Sequence, residues 1–118
     1  MNEKPSVKQL QSEIKTFCDE RDWQQFHHPK DLVMGMSIEA NELLDIFRFK
    51  KEEEQSQIIQ DKKEAIANEL SDVFFYVLRF AQLYDIDLIE AFKHKMQINA
   101  KHYPVDKAHG NNKKYTDI

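Results

Sequence analysis

The sequence predicts an all-α protein built as a four-helix bundle. Three observations point there. The chain of 118 residues has only 2 Gly and 3 Pro, too few for the tight turns of a typical all-β domain. Apolar residues recur at helical spacing in four separate segments. No stretch shows the convincing apolar–polar alternation of a half-buried strand.

The first helix is expected to start at Ser6, an N-cap just after Pro5. It carries Val7, Leu10, Ile14 and Phe17 at helical spacing and ends near Asp22. The connecting segment WQQFHHPKD (Trp23–Asp31) follows, in which Trp23 and Phe26 read as core residues. Pro29 is a break or a first-turn residue. A second helix runs from Pro29 to about Phe49, with a stripe of Leu32, Met36, Leu43 and Phe47 widened by Val33, Ala40 and Leu44. KKEEEQSQIIQDKK (Lys50–Lys63) reads as a solvated charged linker or a helix start. The third helix extends from Asp61 or Lys62 to Tyr84. YDID (Tyr84–Asp87) makes a turn whose Asp87 caps a fourth helix over Leu88–Tyr103, and Pro104 ends it. The expected organisation is one helical domain over residues 1–104 and a polar, irregular tail over 105–118, mobile unless something pins it.

Composition narrows the function. With 41% hydrophobic and 32% charged residues the chain can bury a core and stay soluble. A net charge of −4 argues against a nucleic-acid-binding surface and against a basic membrane-surface helix. The single Cys18 excludes an intrachain disulfide and any multi-cysteine zinc site. MNEKPSVKQL holds no apolar signal region, and no run of about 18 apolar residues occurs, so a cytoplasmic location is expected.

The chemistry lies in four carboxylates. On a helical wheel Glu69 falls inside the arc of Val73, Tyr76, Val77, Phe80 and Leu83, and Asp72 sits at its edge. Glu39 lies beside the Leu32/Met36/Leu43 stripe of the second helix, with Glu42 further round. Both pairs are spaced i, i+3, so each projects from one helix face. Two ordinary pairs of surface acids are one reading. A buried salt-bridge network is another, although among Glu69–Leu83 only Arg79 could serve as its base. The third is a metal site. Four carboxylates suit Mg²⁺ or Mn²⁺, which prefer oxygen ligands, and such an ion would offset the cost of inward-facing acids. A di-iron site would want Glu-x-x-His, which is absent.

SIEANELLDIF followed by NELSDVFFYV resembles the Glu-x-x-Glu … Glu-x-x-Asp pattern of the all-α nucleoside triphosphate pyrophosphohydrolases, the MazG-like group. FCDERDWQQFHHPKDL, KMQINAKHYP and KKYTD are similar to its dCTP pyrophosphatase branch. The likeness covers about Phe17 to Asp117. It departs from the pattern at Ile38, where many members have a second acid, at Asn41, where the branch often has Gly, and at Phe49, where it often has Trp.

The resemblance implies Mg²⁺-dependent hydrolysis of a (d)NTP to its monophosphate and pyrophosphate. It implies Glu39, Glu42, Glu69 and Asp72 as metal ligands, with Glu39 or Glu42 also a candidate general base. It places His27, Lys95, Asn99 and Tyr103 along the nucleotide site, and Tyr76 with Phe47 or Phe49 near the base or sugar. A pyrimidine substrate, dCTP or a 5-substituted relative, is expected. Two alternatives stay open: a related phosphohydrolase acting on another nucleotide, and a non-enzymatic helical interaction protein. Phe74, Phe75 and Leu78 lie away from the Glu69 arc, so a homo-oligomer, a homodimer at least, is expected, and the resemblance implies a homotetramer as the larger form.

Overall fold

Ser6 starts the chain's first helix by a reciprocal capping box. Its hydroxyl accepts from the Gln9 amide at 3.1 Å, and the Gln9 side chain accepts from the Ser6 amide at 2.7 Å. The structure, a computed structural model, describes residues 3–118. Helix α1 spans Val7–Glu20. It ends with Asp22 in the left-handed region at φ 53°, where the Trp23 amide reaches back to the Cys18 carbonyl at 3.0 Å and the Asp22 amide to the Asp19 carbonyl at 3.1 Å. This is a Schellman-type stop with Asp in the position glycine usually takes. A 3-10 turn, Gln24–Phe26, leads to α2 (Pro29–Phe47), whose first residue is proline, as the pre-set φ of proline favours.

The charged segment after α2 is more ordered than expected. Glu52–Asp61 forms a complete helix, α3. Glu52, Glu53 and Glu54 occupy its first turn, where negative charge meets the positive end of the helix dipole. Only Lys62 separates it from α4, Lys63–Leu83. Asp87 caps α5 (Leu88–His102) by accepting from the Glu90 amide at 3.1 Å, and Lys101 and His102 complement the helix's negative end. A short α6, Val105–Ala108, and a 3-10 turn, Tyr115–Asp117, complete the chain.

Contacts divide the molecule into two compact units at the Asp85–Ile86 junction. The first holds α1 to α4. Its centre is α4, on which α2 packs most extensively and α1 next. Leu32 from α2, Cys18 from α1, and Leu78 and Ala81 from α4 are buried there. Two glutamines tie α1 to α4. Gln11 donates to the Leu78 carbonyl at 3.0 Å, and Gln82 donates to the Gln11 carbonyl at 2.7 Å. Leu78 was expected on an outward face, but α1 covers it. Phe74, one turn before, stays exposed.

The second unit, Ile86–Ile118, holds α5 and α6. Its tail is neither free nor wholly irregular. Tyr115 stacks on His102 with ring centres 4.0 Å apart and meets Tyr103 edge-on, while its amide donates to the Tyr103 hydroxyl at 3.2 Å. Those aromatic contacts are what pin the tail to its own unit.

Candidate metal centre and adjoining cavity

Helices α2 and α4 each bring an acidic pair to their shared contact. Glu39, Glu69 and Asp72 each offer one oxygen, and the three lie within 4.8 Å of one another. Glu39 and Glu69 are half-buried, whereas Asp72 is exposed. One oxygen of Glu39 and one of Glu69 are fully buried with no hydrogen-bond donor. Two ionised carboxylates left this way repel each other and lack solvation, so the arrangement calls for a shared proton or a cation.

The protonation behaviour of Glu39 agrees. Burial pushes its carboxyl up to about 7, helped by proton-sharing contacts with Glu69 and Glu42 and by the charges of Glu42 and Asp72. Glu42 therefore touches Glu39 but stands outside the tight triad. Among the described residues the ion pairs are Lys15–Asp19, Arg21–Glu20 and Arg48–Asp45, and none involves the four site acids. A salt-bridge network does not account for them. The orphaned oxygens and the all-carboxylate donor set fit a hard divalent cation such as Mg²⁺ or Mn²⁺.

Tyr76 links this cluster to a cavity. Burial first, then the charges of Glu39 and Asp72, raise its phenol above the ordinary tyrosine range. The ring also lines a cavity of about 280 Å³ with Trp23, Phe26, His27, Asp31 and Leu32. Trp23 and Phe26, expected in the core, are 39% and 60% exposed, Trp23 just before the 3-10 turn and Phe26 at its end. His27 is half-buried and accepts a hydrogen bond at Nδ1 from Arg79 Nε at 3.0 Å.

The remaining predicted site residues are neither in the triad nor in the cavity lining. Phe47 is half-buried at the end of α2, and Phe49 is 80% exposed with the Arg48 guanidinium 4.2 Å above its ring. Lys95 and Asn99 lie one turn apart on α5 in the second unit, Lys95 exposed and Asn99 half-buried. Tyr103 follows that helix and holds the tail through its hydroxyl.

Sequence reasoning passed over Gly35, Asp31 and the burial of Arg79. A β-carbon on Gly35 would collide with the Tyr76 ring, and its place one turn before Glu39 on α2 was the available signal.

A family model for the MazG-like family matches residues 34–118. The chain belongs to the MazG-like family. The match takes in both acidic pairs and α3 to α6. MazG-like likeness extends across the chain in individual relatives. It is 34% identical over 116 residues to dCTP pyrophosphatase 1 of Bos taurus, covering 97% of this chain and 69% of the relative. The figures for dCTP pyrophosphatase 1 of Mus musculus are 35%, 97% and 68%. A crystal structure of a pyrophosphatase from Archaeoglobus fulgidus superposes with a TM-score of 0.81 at 32% identity, over 88% of this chain and 97% of that one. This MazG-like chain is thus all-α, with its acidic pairs on α2 and α4. No helix among its described residues is long and apolar enough to cross a membrane.

Proposed function

We propose that this chain is a divalent-metal-dependent pyrophosphohydrolase that converts a nucleoside triphosphate, by preference dCTP or a 5-substituted pyrimidine relative, to the monophosphate and pyrophosphate. Its role would be to clear unwanted nucleotides from the pool. The observation that carries the reading is the Glu39–Glu69 contact, two inward carboxylate oxygens without a donor. The likeness to enzymes named dCTP pyrophosphatase supports the substrate class.

Glu39, Glu69 and Asp72 would hold the ion, with Glu42 beside them. The bound ion would supply charge neutralisation at the triphosphate oxygens. Glu42, which adjoins Glu39 yet stands outside the triad, would accept the proton of an attacking water. That water forms a new P–O bond as a phosphoanhydride P–O bond breaks, releasing the two products. The aromatic-walled cavity would take the base, because the Tyr76 ring serves both the cavity and the acidic cluster. The resemblance further assigns nucleotide contacts to Lys95, Asn99 and Tyr103, with Phe47 or Phe49 near the base or sugar.

The same reading includes assembly with a second copy. A groove of about 340 Å³ between α1 and α4 is lined by Leu10, Ile14, Phe17, Phe74, Phe75 and Leu78, and Leu70 and Phe74 beside it are about half exposed. An apolar face of this kind is an interface candidate.

The test is a panel of NTPs and dNTPs assayed for pyrophosphate release with Mg²⁺ and with EDTA. Release from dCTP above all others, abolished by EDTA, is expected. No release from any nucleotide would overturn the enzymatic reading.

A further inference from the structure

Arg79 is the one buried charged side chain among the described residues, at 1% exposure. No ion pair among them includes it. A guanidinium buried without a counter-ion is costly, so its contacts need a reason beyond packing. Its Nε donates to His27 Nδ1 at 3.0 Å, one terminal nitrogen donates to the Gln82 side-chain oxygen at 2.8 Å, and the other is buried without a partner. Gln82 is itself fixed, because its amide donates to the Gln11 carbonyl of α1 at 2.7 Å. The backbone of His27 is held from the other side, where its carbonyl accepts from the Tyr84 hydroxyl at 3.2 Å. A chain of hydrogen bonds therefore runs from α1 through Gln82 and Arg79 to one ring nitrogen of His27.

Arginine can only donate. His27 Nδ1 must then carry the lone pair, and the ring hydrogen sits on Nε2. His27 lines the cavity that Tyr76 shares with the acidic cluster. We propose that Arg79 is a positioning residue that holds His27 as a neutral imidazole hydrogenated on Nε2, giving this cavity a fixed N–H donor for an acceptor on the nucleotide, such as a pyrimidine carbonyl. The inference rests on the reading that the cavity serves a nucleotide. Burial first, and the Arg79 cation second, push the His27 pKa below its ordinary value, which keeps the ring neutral. The other titratable groups around it are Asp31 from α2, Tyr76 from α4, Tyr84 just past the end of α4, and the neighbouring His28.

Two measurements on the full chain test this. Nitrogen-15 NMR of the imidazole rings should show His27 with bare Nδ1 and hydrogenated Nε2, unchanged from about pH 7.5 to about pH 6.5, where an ordinary histidine is already half charged. In Arg79→Met the His27 midpoint should move upward and its ring nitrogens should average between tautomers. A wild-type His27 hydrogenated on Nδ1, or titrating at its ordinary value, overturns the positioning role.

The second measurement is kinetic. Arg79→Met should raise KM for dCTP about five- to tenfold, the loss of one oriented hydrogen bond, with a smaller change in kcat. In a His27→Ala background the same substitution should leave KM unchanged. Arg79→Lys keeps charge and most of the volume and carries this comparison if the Met variant does not fold. Equal effects in both backgrounds would mean that Arg79 acts on packing, which overturns the proposal. Absence of any nucleotide hydrolysis overturns the nucleotide-facing part together with the function, whereas a wrong tautomer overturns the positioning alone.

Discussion

Tyr76 lies against the backbone of α2 at Gly35: a β-carbon there would stand 2.5 Å from two carbons of the ring and 2.9 Å from its hydroxyl oxygen. The hydrogen side chain of Gly35 is therefore what lets α4 place this ring beside Glu39 and Asp72, whose charges it feels. A rigid ring only 2.5 Å from an added methyl carbon must back away, which moves a helix or takes the ring off its rotamer.

Gly35→Ala should accordingly destabilise the protein by about 1–3 kcal/mol, the usual range for overpacking. Denaturant melts would measure it. Replacing the ring as well, in Gly35→Ala/Tyr76→Leu, should recover part of the loss. An unperturbed Gly35→Ala melt would mean that the ring does not pack there.

Glu69→Gln keeps the shape of the side chain and removes one of the facing charges. Pyrophosphate release should fall about 100-fold or more, as when a main electrostatic group of an active site is removed. In EDTA the same variant should melt above the wild type, because a buried carboxylate oxygen without a donor is no longer part of a charged group. Wild-type turnover by a folded Glu69→Gln would dismiss the site as drawn.

The pH dependence follows from Glu39. Its carboxyl is raised from 4.5 to about 7 in the metal-free fold. A carboxyl raised on folding favours the folded state while it is protonated, fully so below about 4.5, and this contribution is lost as pH rises through about 7. Metal-free protein should thus have a Tm that declines across this window, with Mg²⁺ flattening the decline. Metal uptake near pH 6 should release a proton, which calorimetry in buffers of different ionisation heat would detect. A metal-free Tm that rises through the window would contradict the assignment.

Asn99, half-buried on α5, offers an amide that can match the donor–acceptor edge of cytosine. Asn99→Ala should lower kcat/KM for dCTP more than for the other dNTPs, flattening the preference. If purine triphosphates are the better substrates of the wild type, the pyrimidine assignment falls and the pyrophosphohydrolase assignment stands.

Assembly can be read by light scattering. The apolar face around Leu70 and Phe74 should hold at least two copies together at micromolar concentration, and Phe74→Glu should shift the population toward monomer. A wild-type monomer at that concentration would refute the interface.

The long helices were legible because their signals are local. Ser6 and Asp87 cap, Pro29 opens, and the apolar period runs between them. The charged α3 was not fully legible. Its charges read as solvated linker, although three glutamates in a first turn are also a helix-start signal. The inward turn of Glu39 and Glu69 could be read from the wheel, which also set Asp72 at the edge of the arc and Glu42 further round, but the wheel gives direction and not depth. The shared i, i+3 spacing therefore kept Glu42 in the expected ligand set, although it stands outside the triad. The burial of Arg79 was out of reach for a different reason. Its main partner, His27, is 52 positions away, and only the packing of the folded unit brings the two together.

The exposed helix between the acidic pairs bears on how such sequences can drift. In α3 only Ile58 is even half-buried, so residues added or lost around it change the path between α2 and α4 without disturbing their contact. A single residue inserted between Glu69 and Asp72 would instead rotate the second acid by about 100° and turn it off the shared face. Insertions and deletions among descendants of this chain should therefore gather around Lys50 to Lys62, while the two tetrads Glu39–Glu42 and Glu69–Asp72 keep their length.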